Sequence, residues 1–501
     1  MWNSALFPDF RTYQVTADYS FLRRILKRFK TVIIGLLLGF SLAGFTFGFS
    51  YYAAYAAPPI DCRSVVGISL NECNALMSLY TQTNGSSWTN NSGWTTTTPC
   101  TTPWFGITCT DGGVSHIDLT DNNLVGTLPA ALNALGNLTV LNLDLNHLSG
   151  TIPTLTGLIH LTTLSLSSNQ LSGSIPALAG LTGLQQIVLN NNQLSGPVPS
   201  FIGLTNLKQV TLNNNQLSQM SELTGLTNLG TLWLFNNQLT GSIPALTGLT
   251  GLQSLELYNN QLTGSIPALT GLTNLQILNL NTNKLSGAIP DLSGLTSLAF
   301  LNLDTNQLSG SIPDLSGLPN LASFDLGMNQ LSGEIPPLNG LTSLVSLYLN
   351  NNQFIGTIPS LTGLAKLQLL WLNNNKLNGS LPSFADLLNL SNVQVNNNQF
   401  SGNVPDVPPS LTYFDVSNNL LNGTIPVSLA LSAISTIPRQ QLFLCGTGNV
   451  LTPVSGEVNA FIAARTQVWT GGCPTAPPTF APAATATLTP TSVPTLTPIP
   501  N

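Results

Sequence analysis

The sequence predicts an α/β solenoid: a superhelix of about fourteen coils with a parallel concave β-sheet and caps closed by disulfides. Three observations predict it. Asparagine recurs at intervals of 22 to 24 residues through most of the chain, shortening to 21 only at the end. Aliphatic residues hold constant offsets from each of those asparagines. Finally, only 6% of the residues are charged, against about 25% in an ordinary globular chain. Such a bias directs the search to internal repeats, which stack into one continuous core.

The first element, residues 1–30, is a basic N-terminal region with Arg23, Arg24, Lys27, Arg28 and Lys30 in one run. Residues 31–57 follow as a signal peptide or signal anchor. The apolar stretch from Thr31 to Tyr52 carries no charge, and Ala54-Tyr55-Ala56 has the small-x-small form of a cleavage site. The stretch is also nearly long enough to span a bilayer. Export is expected either way, with membrane contact only through 31–52 if the segment is uncleaved, and the basic flank keeps the N-terminus inside. From Pro58 onward seven cations face seventeen acids, a balance of −10. That surface repels phosphate backbones, so no nucleic acid is expected as a partner.

Residues 58–115 form the expected N-terminal cap. Ala75, Leu76, Leu79 and Tyr80 have the spacing of a short helix, and Asn84-Gly85 marks a turn. Trp88, Gly93-Trp94 and the segment from Cys100 through Trp104 and Gly106 to Cys109 follow. The six cysteines fall into three local pairs, Cys62/Cys73, Cys100/Cys109 and Cys445/Cys473, at the two ends of the array. None has zinc-site spacing. The even count suggests disulfides in an oxidising compartment, with buried free thiols as the alternative.

The coils occupy 116–432. Their register is carried by Asn122, Asn146, Asn169, Asn192, Asn215, Asn237, Asn260, Asn283, Asn306, Asn329, Asn352, Asn375, Asn398 and Asn419. Around Asn260, the residues Leu249, Leu252, Leu255, Leu257, Leu262, Ile266 and Leu269 recur at the same offsets in neighbouring coils. Leu255-Glu256-Leu257 alternates as a strand with one buried face. Pro267 bars a regular helix and favours an extended return. Each asparagine is expected to turn inward, because its amide offers donors and an acceptor to backbone groups the turning coil leaves unpaired.

The pattern LxLxxNxLxGxIPxLxGLTxL resembles the plant-type leucine-rich repeat of receptor-kinase ectodomains and polygalacturonase-inhibitor-like proteins. The resemblance covers about Ile117 to Leu431. The Trp104-to-Cys109 segment is similar to that family's N-terminal cap. Leu444-Cys445-Gly446 resembles its C-terminal cap, assigned to residues 433–473, with Cys473 as partner and with Val458, Phe461, Ile462, Arg465 and Trp469 on a cap helix. Residues 474–501 are a Thr/Pro-rich tail, read as disordered or stalk-like. No kinase sequence follows the repeats. The tail points to a bacterial surface or secreted version of the design.

On the strands, the residues between the leucines are expected to face solvent. Most are Asn, Ser or Thr. Two groups depart from that background: Trp233, Phe235 and Tyr258 with Glu256, and Tyr348 with Trp371. Grouped Trp and Tyr are typical of interface anchors and can also stack on sugars. The alternative is that they only pair with one another across the sheet. Acids near the first coils (Asp118, Asp121 and Asp144, beside His116) and the neighbours Asp304 and Asp325 read as a solvated polar face, and no metal or other cofactor is expected. No nucleophile elbow, zinc-protease motif or phosphate loop is present, so no enzyme is expected. The resemblance implies a binding module that recognises a protein, peptide or glycan on the concave face. The alternative is a structural spacer or adhesin without a discrete ligand site.

Overall fold

In the computed structural model, described for residues 60–96, 98–436, 441–465 and 473, each coil contributes one strand to a sixteen-stranded sheet. The first strand, Ile107–Thr110, pairs antiparallel with Gly113–Asp118. From there the sheet runs parallel, coil by coil, to Tyr413–Asp415 and finally to Leu442–Phe443. The register repeats without a slip along the array: Thr211 lies opposite Trp233, Trp233 opposite Glu256, and Tyr348 opposite Trp371. This follows from the repeat itself. The inward leucines of each strand are fully buried, and a one-residue shift would turn them outward.

The return path after most ladder asparagines holds a second row of short parallel strands, such as Gln170–Ser174 beside Gln193–Pro197. The aliphatic residue before the return proline closes the core from that side, as Ile266 and Ile289 do. Among the described residues the α-helices lie towards the two ends of the array: α1 (Leu70–Gln82), α2 (Val427–Leu431) in the last coil and α3 (Gly456–Arg465).

The inward asparagines form one ladder. Asn260 Nδ2 donates to the carbonyls of Leu257 (3.0 Å), of Tyr258 (3.3 Å) and, in the preceding coil, of Leu234 (3.0 Å). Its Oδ1 accepts from the Leu239 backbone N–H at 3.0 Å. The same set recurs at Asn283 and Asn398. Each amide thus satisfies a donor and several acceptors inside the core, where an unpaired group would be costly. The ladder continues past Asn419 to Asn449 in the C-terminal cap. Asn449 Nδ2 donates to Val416 O (2.9 Å), and its Oδ1 accepts from Leu421 N–H (3.0 Å). Its 30-residue offset from Asn419 hides it from the repeat period.

The residue just before each ladder asparagine has positive φ, from 46° at Met328 to 58° at Asn374. Asparagine is the non-glycine residue that visits this region most readily. Two runs of asparagine here hydrogen-bond amide to amide along the exposed rim. Asn214 bonds to Asn191 (2.6 Å), Asn236 to Asn214 (2.6 Å) and Asn259 to Asn236 (2.8 Å). Asn374, Asn397 and Asn418 continue from Asn351 in the same way. Thr282, Thr305 and Met328 separate the two runs.

Both caps are disulfide-bonded: Cys62–Cys73, Cys100–Cys109 and Cys445–Cys473, with Cα–Cα separations of 5.6, 5.5 and 5.2 Å. At the N-terminal cap, Ser69 and Glu72 form a reciprocal capping box on α1. The other Glu72 oxygen accepts from Val114 N–H at 3.0 Å, which ties the helix to the first strands of the sheet. Trp88, Trp94 and Trp104 bury against one another with ring centroids 4.8 and 4.9 Å apart. The Trp88 and Trp94 indole N–H groups donate to the carbonyls of Thr83 and Phe105. In the C-terminal cap, Val458 and Ile462 are buried on α3. Trp469, the segment 31–52 and the tail 474–501 lie outside the described residues. Among the described residues no helix is long and apolar enough to cross a membrane.

Candidate functional site

The concave face is less open than the sequence predicts. Ser165, Thr211, Asn213, Asn279 and Asn350 stand at positions expected to face solvent, yet they are 6, 3, 6, 8 and 9% exposed. The reason is the in-register parallel sheet. Equivalent residues lie about 4.8 Å apart, so a short side chain beside taller ones is covered.

The two aromatic groups singled out in the sequence stand on this face, and a further pair, Tyr413 with Phe443, lies at its C-terminal end. Trp233 ends the strand Thr231–Trp233, and Phe235 follows it two residues on. Tyr258 occupies the Phe235 position one coil later, and their rings stack at 4.4 Å with planes 7° apart. Trp233 tilts against Phe235 at 6.4 Å. In the second group, Tyr348 and Trp371 meet edge to face at 4.8 Å. All five rings are half-buried. They therefore do pair with one another, as the bland reading of the sequence has it, while each keeps some surface open.

The two tryptophans are anchored alike. Trp233 Nε1 donates to Ser254 Oγ at 2.9 Å, and Trp371 Nε1 donates to Asn392 Oδ1 at 3.0 Å. Ser254 and Asn392 each lie 21 residues beyond their tryptophan, at the same place in the next coil. Both indoles have their polar edge fixed into the sheet. Sequence reasoning missed these two residues. Aligning the coils on their ladder asparagines would have shown a polar side chain at that place beside each tryptophan.

Buried side-chain oxygens without a hydrogen-bond partner flank both groups. Thr211 Oγ1 and Asn213 Oδ1 lie on the coil before Trp233. Asn373 Oδ1 and Asn396 Oδ1 lie on the coil of Trp371 and on the next one. Buried polar groups are otherwise nearly always paired.

Acids lie on the inner side of each group. Glu256 pairs in register with Trp233; burial pushes its carboxyl above the usual range, and a hydrogen bond from Ser254 partly offsets this. Burial, with the negative charge of Glu256, also raises the Tyr258 phenol. Asp325 pairs in register with Tyr348. Burial pushes its carboxyl up to about 7; the Gly327 N–H opposes the shift and the Asp304 charge adds to it. Gly327 leaves room for its neighbours: a Cβ there would meet Asp304 Oδ1 at 2.8 Å and Asn350 Oδ1 at 3.2 Å, while its N–H donates to Asp325 Oδ1 at 3.0 Å. Among the described residues no group of three or more His, Cys, Asp or Glu is arranged to hold a metal ion.

Comparison with known proteins agrees with this architecture. The family described as "Leucine Rich repeats (2 copies)" matches residues 159–203, 227–271, 250–294 and 319–363, and "Leucine Rich Repeat" matches 410–431. The Arabidopsis thaliana protein "MDIS1-interacting receptor like kinase 2" is 37% identical over 102 residues, which are 20% of this chain and 10% of that protein. Among solved structures, the plant peptide hormone receptor RGFR1 in complex with RGF2 is similar at 32% identity and a TM-score of 0.60, over 68% of this chain and 56% of that one. The ectodomain of the Arabidopsis receptor kinase HAESA, in complex with an N-terminally extended IDA peptide hormone ligand, is similar at 28% identity and a TM-score of 0.53, over 78% of this chain and 75% of that one. The class is thereby defined: a leucine-rich-repeat solenoid, similar to the ectodomains of plant receptor kinases. The matches span a tenth of the curated relative and little more than half of the RGFR1 chain.

Proposed function

We propose that the chain is an extracellular or cell-surface binding module that holds a peptide or protein on the concave face of its solenoid. The observation that carries this reading is the pair of half-exposed aromatic groups, Trp233/Phe235/Tyr258 and Tyr348/Trp371, each fixed to a rigid sheet through its tryptophan. A preformed surface loses little freedom on binding, and anchored aromatic side chains supply most of the contact energy at such surfaces. RGFR1 and HAESA, to which the chain is similar, were solved with peptide hormones bound.

A second reading is a surface spacer or adhesin. The pairing of Phe235 with Tyr258 and of Tyr348 with Trp371 favours it, as do the identical segments 239–249 and 262–272 of neighbouring coils.

The experiment is a screen of the full chain and a Trp233→Ala/Trp371→Ala variant against peptide and glycan panels, with melting curves for both. Binding by the parent chain that the variant loses, at a comparable melting temperature, supports recognition. Two folded proteins that bind nothing favour the spacer. Binding confined to glycans moves the ligand class to sugars.

A further inference from the structure

The two aromatic groups bound a single stretch of the concave face, and their arrangement along it is mirrored. Going inward from Trp233 the register meets Glu256; going inward from Trp371 it meets Tyr348 and then Asp325. Of the unpartnered buried oxygens, Thr211 and Asn213 lie one coil outside Trp233, Asn373 lies on the coil of Trp371 and Asn396 one coil outside it. Between the aromatic groups stand Asn279, Asn302 and three acids, Glu256, Asp304 and Asp325.

No lysine or arginine answers these acids on this face. Every outward strand position of the array is uncharged or acidic. Lys208, Lys284 and Lys376 bond instead to glutamines of the preceding coils, Gln185, Gln261 and Gln353, at exposed positions away from the strand face. Glu256 and Asp325 are partly stripped of water, and the influences on their carboxyls include no cation. The only charges facing them are each other's kind: Asp304 beside Asp325, with the phenols of Tyr258 and Tyr348 next to the two sites. Acids held in this way fit a positively charged ligand, and a cation beside an aromatic face gains further attraction.

From this placement we infer that the groove between Trp233 and Trp371 takes an extended peptide with a basic middle, held at each end by a bulky apolar side chain on the aromatic groups. The inference rests on the peptide-binding reading above. Six strand steps separate Trp233 from Trp371, a span on the order of 29 Å at about 4.8 Å per step. An extended chain covers that span in about eight or nine residues, at roughly 3.3 Å each. Asp304 and Asp325 would face lysine or arginine near its centre, and Glu256 a basic residue close to its Trp233 end.

The test is selection from a displayed library of random dodecapeptides on the full chain. Two variants run beside it: Glu256→Gln/Asp304→Asn/Asp325→Asn and Trp233→Ala/Trp371→Ala. Melting curves establish that all three proteins are folded. The expected result is enrichment of peptides with central Lys or Arg between apolar residues eight or nine positions apart. Their affinity for the amide variant should be about a hundredfold weaker. It should also fall steeply with added salt. Enriched peptides without basic residues, bound equally by the amide variant but lost by the tryptophan variant, would overturn the charge inference and leave peptide recognition standing. Enrichment no greater on the parent chain than on the tryptophan variant would overturn both.

Discussion

Asn259 and Asn260 are consecutive in the chain, identical in chemistry, and held for opposite reasons. Asn260 lies in the inner ladder, where its amide bonds to four backbone groups in two coils. Asn259 lies on the outer rim at a φ of 53°, exposed, and bonds to the Asn236 amide at 2.8 Å. Along the array the inner place is asparagine in every coil, while the outer one is also Asp121, Leu145, Ser168, Thr282, Thr305 or Met328. Burial explains the contrast. Inside, a missing amide strands backbone groups away from water; on the rim, water replaces it. The residue type alone does not say which role it plays.

The largest effect expected from breaking this contrast is on the inner row. Asn260→Ala strands the Leu239 N–H and removes one of the two amides on each of the Leu234 and Leu257 carbonyls, which keep Asn237 and Asn283. We expect a loss of about 2 kcal/mol, the scale for stranding one buried backbone donor. Chemical denaturation measures it. A loss under about 1 kcal/mol would mean that ordered water takes over the amide's role.

A second polar group sharpens the contrast, because Asp325 is a carboxylate largely withdrawn from water. Burial pushes its folded carboxyl up to about 7, against 3.8 for an exposed aspartate. Below about pH 3 both the folded and unfolded states hold the proton, and the residue is neutral to stability. As pH rises from there to 7, the unfolded chain ionises first, so stability falls; above 7 the full penalty is present. Asp325→Asn keeps an acceptor for Gly327 N–H and does not titrate. Relative to the parent chain, it should gain about 2 kcal/mol at pH 8 and almost nothing at pH 3, allowing for partial screening by water. Paired melts at those two pH values check this. A gain of equal size at both would refute burial of the charge as its cause.

Much of this was legible in the sequence, and the rest was not for identifiable reasons. The period, the strands around Leu255 and Leu257 and the three disulfides follow from residues that recur or pair locally. Asn449 was hidden because the cap breaks the period. The covering of Thr211 and Asn213 was hidden because it depends on the height of neighbours one coil away, more than 20 residues off in sequence. The anchoring of Trp233 by Ser254 has the same cause, as does the pressing of Asp304 and Asn350 over Gly327. Single-coil reasoning sees which face a residue takes. It does not see what stands beside it.

The smallest effects belong to the rim, where the two asparagine runs are interrupted. Thr282 and Thr305 hold φ values of 52° and 54°, a region that β-branched residues disfavour. Thr282→Asn relieves that strain and offers Asn259 a neighbour to continue its run, for an expected gain of about 1 kcal/mol. Asn259→Gly keeps the backbone conformation and removes only an exposed amide bond, so it should change stability by no more than about 0.5 kcal/mol. Thermal melts of the two variants against the parent decide between two accounts of the rim. If Asn259→Gly costs as much as Thr282→Asn gains, the amide run itself stabilises the rim. If it costs almost nothing while Thr282→Asn still gains, asparagine is favoured there for its backbone alone, and the amide contacts merely follow from the spacing of the coils.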